Sequence, residues 1–249
     1  MPPRVIPKWI KPAGRYHAAA LHLLASASIA LILALVVFVL WYPSPFRDLA
    51  GGLHLFGLVV AVDVVTGPLL TLAVFNAAKP RKELMFDLTV IGFLQLGALA
   101  YGVHTVAAAR PVVLAYEVDR FVAVPAAQVQ TSELPDAPGD LKTLSWVGPR
   151  IVGTRTPRDA AEQVQSIQLS FQGIEPSVRP SWWVPYPEVI DSVRRRMKPV
   201  DGLGATLSLE QKTRLSQAVA RSRVDSGKLF YLPLTGHASD AWIVLLDGS

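Results

Sequence analysis

GLHLFGLVVAVDVVTGPLLTLAVFN, residues 52–76, decides how this chain is read. The run is apolar and longer than the roughly 20 residues that cross a bilayer. Yet Asp63 lies near its middle, and Gly67-Pro68 follow four residues on. A carboxylate in hydrocarbon is costly without a partner, and a proline inside a helix removes a backbone hydrogen bond. Together they require neighbours that satisfy them.

Two more apolar runs flank this one. The first spans 17–42, and the third spans 86–109, FDLTVIGFLQLGALAYGVHTVAAA. The start of the chain, MPPRVIPKWIKPAGRY, carries Arg4, Lys8, Lys11 and Arg15 and no acid. A cleaved signal has the same charged start, but its apolar core is only about 7–15 residues. Here the core runs from Leu23 to Leu40 and ends in Trp41-Tyr42-Pro43, an interfacial anchor and a stop. The expectation is three transmembrane helices at about 17–42, 52–76 and 86–109, after a basic cytoplasmic N-terminus at 1–16. The second loop holds Lys79, Arg81 and Lys82 against Glu83, whereas the first has only Arg47 beside Asp48. Positive charge marks the cytoplasmic side, so residues 110–249 are expected outside the cytoplasm, in the periplasm of a Gram-negative cell.

Composition narrows the function classes. Apolar residues make up 51% of the 249-residue chain and charged residues 17%, which is lopsided for a soluble protein. The net charge of +5 is not a nucleic-acid patch. Eight Lys/Arg face four Asp/Glu before Arg110, while sixteen face fifteen from there on, so the excess lies on the membrane flanks. The absence of cysteine removes disulfides, thiol catalysis and thiolate metal sites.

Depth counted from the helix ends places Gln95 of the third span and Ser26 and Ser28 of the first at the level of Asp63. Either residue type can hydrogen-bond a carboxyl inside a bundle. Small residues at four-residue spacing, Ser26/Ala30/Ala34, Gly57/Ala61 and Ala98/Gly102, predict close helix packing. Two readings of Asp63 stay open: an internally bonded carboxyl that fixes register, or a partner or proton site. His54 and His104 sit near the outer span ends, but no third ligand accompanies them, and no metal or cofactor is expected.

Residues 110–249 read as a small α+β domain. PVVLAYEVDRFVAV (111–124) is a hairpin or kinked strand turning at Glu117–Arg120. A helix is expected from a Thr156 cap with Pro157 in its first turn, running to about Phe171 and stopping at Gly173. Another covers 187–198, with Val189, Ile190, Val193 and Met197 on one face. A third opens with the capping box Ser208…Gln211. Two strands, 228–234 and 241–247, close the chain around a turn containing Gly236. His237 is the domain's single histidine, so triads and zinc sites lack parts, and Gly202-Leu203-Gly204 follows no strand, so it is not a dinucleotide loop. Trp182-Trp183 and Asp119-Arg120 are candidates for docking outside the membrane, with core packing the alternative for the tryptophans. Arg194–Arg196 reads as a solvated face or a docking patch.

Several stretches resemble the TfpX/TfpZ type IV pilin accessory proteins: HLLASASIAL (22–31), WYPSPF (41–46), GGLH (51–54), DVVTGPLLTLAVFN (63–76), KELMFDLTVI (82–91), RPVVLAYEVDRF (110–121) and FYLPLTGHASDAWIVLLD (230–247). The resemblance covers nearly the whole chain and is strongest over 17–124. It implies a non-catalytic, chaperone-like inner-membrane factor that supports assembly of type IV pili from its cognate major pilin. Assembly-platform proteins and the lipid bilayer are further implied partners. Its motif positions are His54, Asp63, Gly67, Pro68, Gln95 and the run from Arg110-Pro111 to Phe121; the first five with Ser28 form the expected intramembrane partner-binding set. The expected arrangement has the bundle around Asp63 and Gly67-Pro68 receiving the pilin helix while the exported domain meets the pilin head. Two other classes stand beside this one, a membrane-anchored ligand sensor and a small membrane enzyme or transporter using Asp63. The first would need a cytoplasmic output module and the second a second intramembrane charge, and neither is in the sequence.

Overall fold

A computed structural model describes residues 13–76, 79–203, 207–236 and 239–248. Arg4, Lys8, Lys11, Gly204 and His237 lie outside the described residues. The chain divides into two compact units, residues 1–109 and 110–249.

The first unit is helical. Helix α1 (Ala13–Leu35) continues as a π-helical turn, Val36–Trp41. A short helix α2 (Phe46–Leu49) leads into the middle helix, built from α3 (Gly52–Val60), a second π turn (Ala61–Thr66) and α4 (Gly67–Val74). Helix α5 (Arg81–Ala109) follows. Three helices, Gly14–Trp41, Gly52–Val74 and Arg81–Ala109, are long and apolar enough to cross a membrane. They leave large apolar side chains such as Leu31, Leu58, Phe93 and Leu94 exposed, as helices solvated by lipid do. Helix α5 begins a turn before the apolar run at 86. Its polar first turns are held by the Lys79–Asp87 ion pair at 2.6 Å.

The outer helices run antiparallel to the middle one. Tyr42 is fully buried, and its hydroxyl donates to the Val106 carbonyl at 2.9 Å. Phe38 meets Phe56 edge to face at 5.2 Å. Helix α1 packs along α4 and the π turn, and α5 packs along α3, α4 and the same turn, whereas α1 and α5 hardly touch.

The second unit is an α+β domain around a seven-stranded mixed sheet. Its strands are β1 (Pro111–Glu117), β2 (Arg120–Pro125), β3 (Arg150–Thr154), β4 (Trp183–Pro185), β5 (Lys198–Pro199), β6 (Leu229–Gly236) and β7 (Ser239–Asp247). The order is β4-β3-β1-β2-β6-β5, with β7 also on β6. The β1/β3 and β2/β6 pairs are parallel and the others antiparallel. All seven residues of β1 are buried, and this central strand is accordingly apolar almost throughout. The β1/β2 hairpin pairs Glu117 with Arg120, which leaves Val118-Asp119 as its turn. Val118 takes a φ of 56°, a strained value for a β-branched residue.

Helix α6 spans Ala160–Ser170 rather than starting at Thr156, and its cap is Asp159, whose carboxylate accepts the Glu162 N–H at 2.8 Å. The Glu162 side chain, at the third position after that cap, turns back to Arg155. Two hydrogen bonds, of 2.8 and 2.7 Å, join that pair, and the Arg158 N–H adds a third at 2.5 Å. Helix α7 (Ile190–Arg196) is shorter than 187–198 because residues 186–189 form a 3-10 turn. Helix α8 (Leu209–Ser222) opens with the expected capping box.

The Arg155 guanidinium also lies 4.4 Å over the Trp182 ring, so the Glu162 pair ties α6 to the domain core. The bond from Arg155 holds the Glu162 carboxyl at about 2, down from an ordinary 4.5. A depressed carboxyl contributes stability that is full above its unfolded value and is lost as pH falls through its folded one. Acid titration of the protein in detergent, followed by tryptophan fluorescence, is expected to show destabilisation between about pH 4.5 and about pH 2. Glu162→Gln should remove that component and lower stability at neutral pH; an unchanged acid profile would show the clamp to be idle.

Candidate functional site

The π turn 61–66 sits where the sequence sets its conflict. Pro68 has no N–H to donate, and its ring crowds the carbonyl four residues back. A wider turn relieves that crowding while the helix continues, and such bulges occur often at functional sites. Asp63 lies within the turn and is 9% exposed. Both of its carboxylate oxygens are buried with no hydrogen-bond partner.

The carboxylate lines a cavity of about 180 Å³. Its walls are His22, Ala25, Ser26, Ile29, Ala30 and Leu33 of α1, Phe56, Val59, Val60 and Asp63 of the middle helix, and Gly92, Gln95, Leu96 and Leu99 of α5. Two glycines let α5 approach. A Cβ on Gly67 would lie 1.8 Å from the Gln95 amide nitrogen, and one on Gly102 would lie 2.6 Å from Val59. On the other side, the His22 ring nitrogen and the Thr71 hydroxyl are 2.6 Å apart.

Ser26 and Gln95, expected at the level of Asp63, line the same cavity as its carboxylate, and neither bonds to it. The Gln95 amide lies against Gly67. Ser28, expected beside them, is not among the lining residues.

Four candidates fall outside the cavity. Ser28 is exposed, and its hydroxyl donates to the Leu24 carbonyl of its own helix at 2.7 Å. Serine in a helix readily finds this internal acceptor. His54 is exposed on α3 and does not line the cavity. Trp182 and Trp183 are each 2% exposed, so they form core rather than a docking strip. The Trp183 indole donates to the Ser177 carbonyl at 2.8 Å, and Arg155 and Arg179 cover Trp182. Gly57, Ala61 and Ala98 are exposed and carry no helix contact, while the Ser26/Ala30/Ala34 stripe does face the bundle. Asp119 and Arg120 stay accessible at the hairpin tip, paired to each other at 2.9 Å.

His22 and Thr71 are the site residues missed in the sequence. The signal was present: 22, 25, 26, 29, 30 and 33 form one helical face through Ser26, a residue already singled out. The second unit holds a larger cleft of about 780 Å³ lined by β1, β3, α6 and α7 residues. Glu117 lies at it, buried, accepting the Ser177 N–H at 3.1 Å, and burial pushes its carboxyl above the ordinary range.

Comparison with known proteins supplies the context. The chain is 32% identical over 227 residues, 91% of its length and 88% of the relative's, to the fimbrial assembly protein of serogroup E1 from Dichelobacter nodosus. It is 31% identical over the same extent to that of serogroup I. A shorter relative from the same organism, the fimbrial assembly protein of serogroups C1 and C2, is 38% identical over 117 residues, 47% of this chain and 89% of that one. Residues 11–51 match the family model described as Fimbrial assembly protein FimB. No solved structure matches.

The contact between Gly67 and Gln95 yields a coupled prediction. Gly67→Ala drives a methyl into the Gln95 amide, so thermal stability of the detergent-solubilised protein should fall by about 1–3 kcal/mol. Gln95→Ala in the same chain should restore most of that loss, a non-additivity that only residues in contact produce. Additive effects would refute the contact.

Proposed function

This chain belongs to the fimbrial assembly proteins, and we propose that it is an inner-membrane accessory factor for type IV pili of the TfpX/TfpZ kind. It acts without catalysis, as a chaperone-like partner of the cognate major pilin, with assembly-platform proteins as further contacts. Similarity to fimbrial assembly proteins over nine-tenths of the chain carries this reading. The basic residues on the first segment and on the second loop support an N-terminus in the cytoplasm and residues 110–249 in the periplasm.

The residues proposed to meet the partner are Asp63, Gly67, Pro68 and Gln95 in the membrane. Outside it, they are Asp119 and Arg120 at the hairpin tip. Strained turns concentrate at functional positions, and Val118 between the strands is both strained and exposed. Ser28, His54, Trp182 and Trp183 are withdrawn from the set.

Deleting the gene is expected to reduce surface pili at least about tenfold while pilin still accumulates in the inner membrane. Electron microscopy of pili and immunoblotting of membrane fractions measure both quantities, and the wild-type gene in trans should restore piliation. Normal pili in the deletion strain would end this reading.

A further inference from the structure

Asp63 is, among the described residues, the only carboxylate with both oxygens buried and unpartnered. The polar side chains that share the cavity, His22, Ser26 and Gln95, make no hydrogen bond to its carboxylate. His22 is bonded to Thr71, and the Gln95 amide rests over Gly67. Ala30 and Leu99 line the same cavity. Among the described residues before position 110, the Lys and Arg side chains, Arg15, Arg47, Lys79, Arg81 and Lys82, all sit in the first turn of a helix, in the short α2 or in a loop.

The cavity is also incomplete as a helix interface. Helices α1 and α5 both pack on the middle helix and hardly touch each other. The facing walls carry Ala25, Ser26 and Ala30 on one side and Gly92 on the other. Small residues of this kind let another backbone approach closely inside a membrane. Ile29 and Leu96, which also line the cavity, remain exposed.

We infer that the groove between α1 and α5 seats a transmembrane helix of a partner protein, which brings a basic or amide N–H donor to Asp63. The occupant is defined by charge complementarity. A polar donor side chain is itself costly in hydrocarbon, and joining it to the carboxylate in a charge-assisted bond offsets part of the cost of each. The bond also sets the axial register of the incoming helix. The inference deepens the accessory role and rests on it only for the first partner to be tried, the major pilin.

A photo-crosslinking amino acid placed singly at Ile29 and Leu96, and at Leu24 and Leu94 outside the groove, tests this in intact cells. The two groove positions should yield an adduct with one membrane protein, identified by mass spectrometry, whose spanning helix carries an N–H donor near mid-depth. Asp63→Leu, at wild-type membrane level and undiminished thermal stability, should cut that adduct about tenfold, the scale of a strong intramembrane hydrogen bond. Apolar replacement of the partner's donor should do the same. Asp63→Asn preserves the adduct for an amide donor and loses it for a basic one.

Equal labelling from Leu24 and Leu94, an undiminished adduct in Asp63→Leu, adducts only with a second copy of this chain, or a partner helix without a donor would each overturn the inference. The two readings fail separately. Lost pili with no groove adduct leave the assembly role standing and remove the seat. Normal pili with a groove adduct remove the assembly role and keep the seat.

Discussion

Hydrocarbon offers no hydrogen bonds, so every polar group placed in it must find a partner within protein. The three helices long and apolar enough to cross a membrane obey this constraint at several points. Thr71 is joined to His22, and Tyr42 reaches the Val106 carbonyl. Ser28 and Thr105 donate to carbonyls one turn back on their own helices, at 2.7 and 2.9 Å. Against that background the two bare oxygens of Asp63 mark the place where the chain does not complete itself. The open groove, the outer helices that hardly touch and the small residues on its walls all gather at that place.

The backbone defect and the buried acid have one origin. Pro68 prevents a regular ladder, so the preceding residues widen into a π turn, and Asp63 is carried into the bundle within it. Gly67, directly before the proline, is what allows α5 to lie close enough for Gln95 to cover the turn. Sequence neighbours that look like separate anomalies act as one device. The proline shapes the turn, the glycine admits the third helix, and the acid lines the cavity walled by the first and third helices.

Much of this was legible because membrane solvation is a simple rule. Apolar length gave the three helices, and the cost of Asp63 and Pro68 gave the position of the site. That Ser26 and Gln95 share a cavity with Asp63 was legible as shared depth, but the close approach of Gln95 to Gly67 was not. Axial register depends on side-chain packing that composition does not encode. The same limit hid His22, whose partner lies 49 residues away. In the second unit the capping box at Ser208 was readable because it is local. The strand order, the burial of Trp182 and the Asp159 cap were not, since each depends on contacts from distant segments. The hairpin lacks the Asn-Gly signature of a two-residue turn and uses Val118-Asp119 under strain instead.

An unpaired buried carboxylate lowers the stability of the isolated chain, and substitution by an apolar residue of similar size removes that penalty. Its retention makes sense if the chain works in a complex rather than alone. One hydrogen bond in a membrane contributes about 1–2 kcal/mol, enough to choose a register and too little to hold a helix permanently. An assembly factor needs that balance, because a subunit gripped by an extensive apolar interface would not be released into the growing fibre. A groove that is shallow in area and specific at one atom therefore suits a protein that positions a partner and then lets it go.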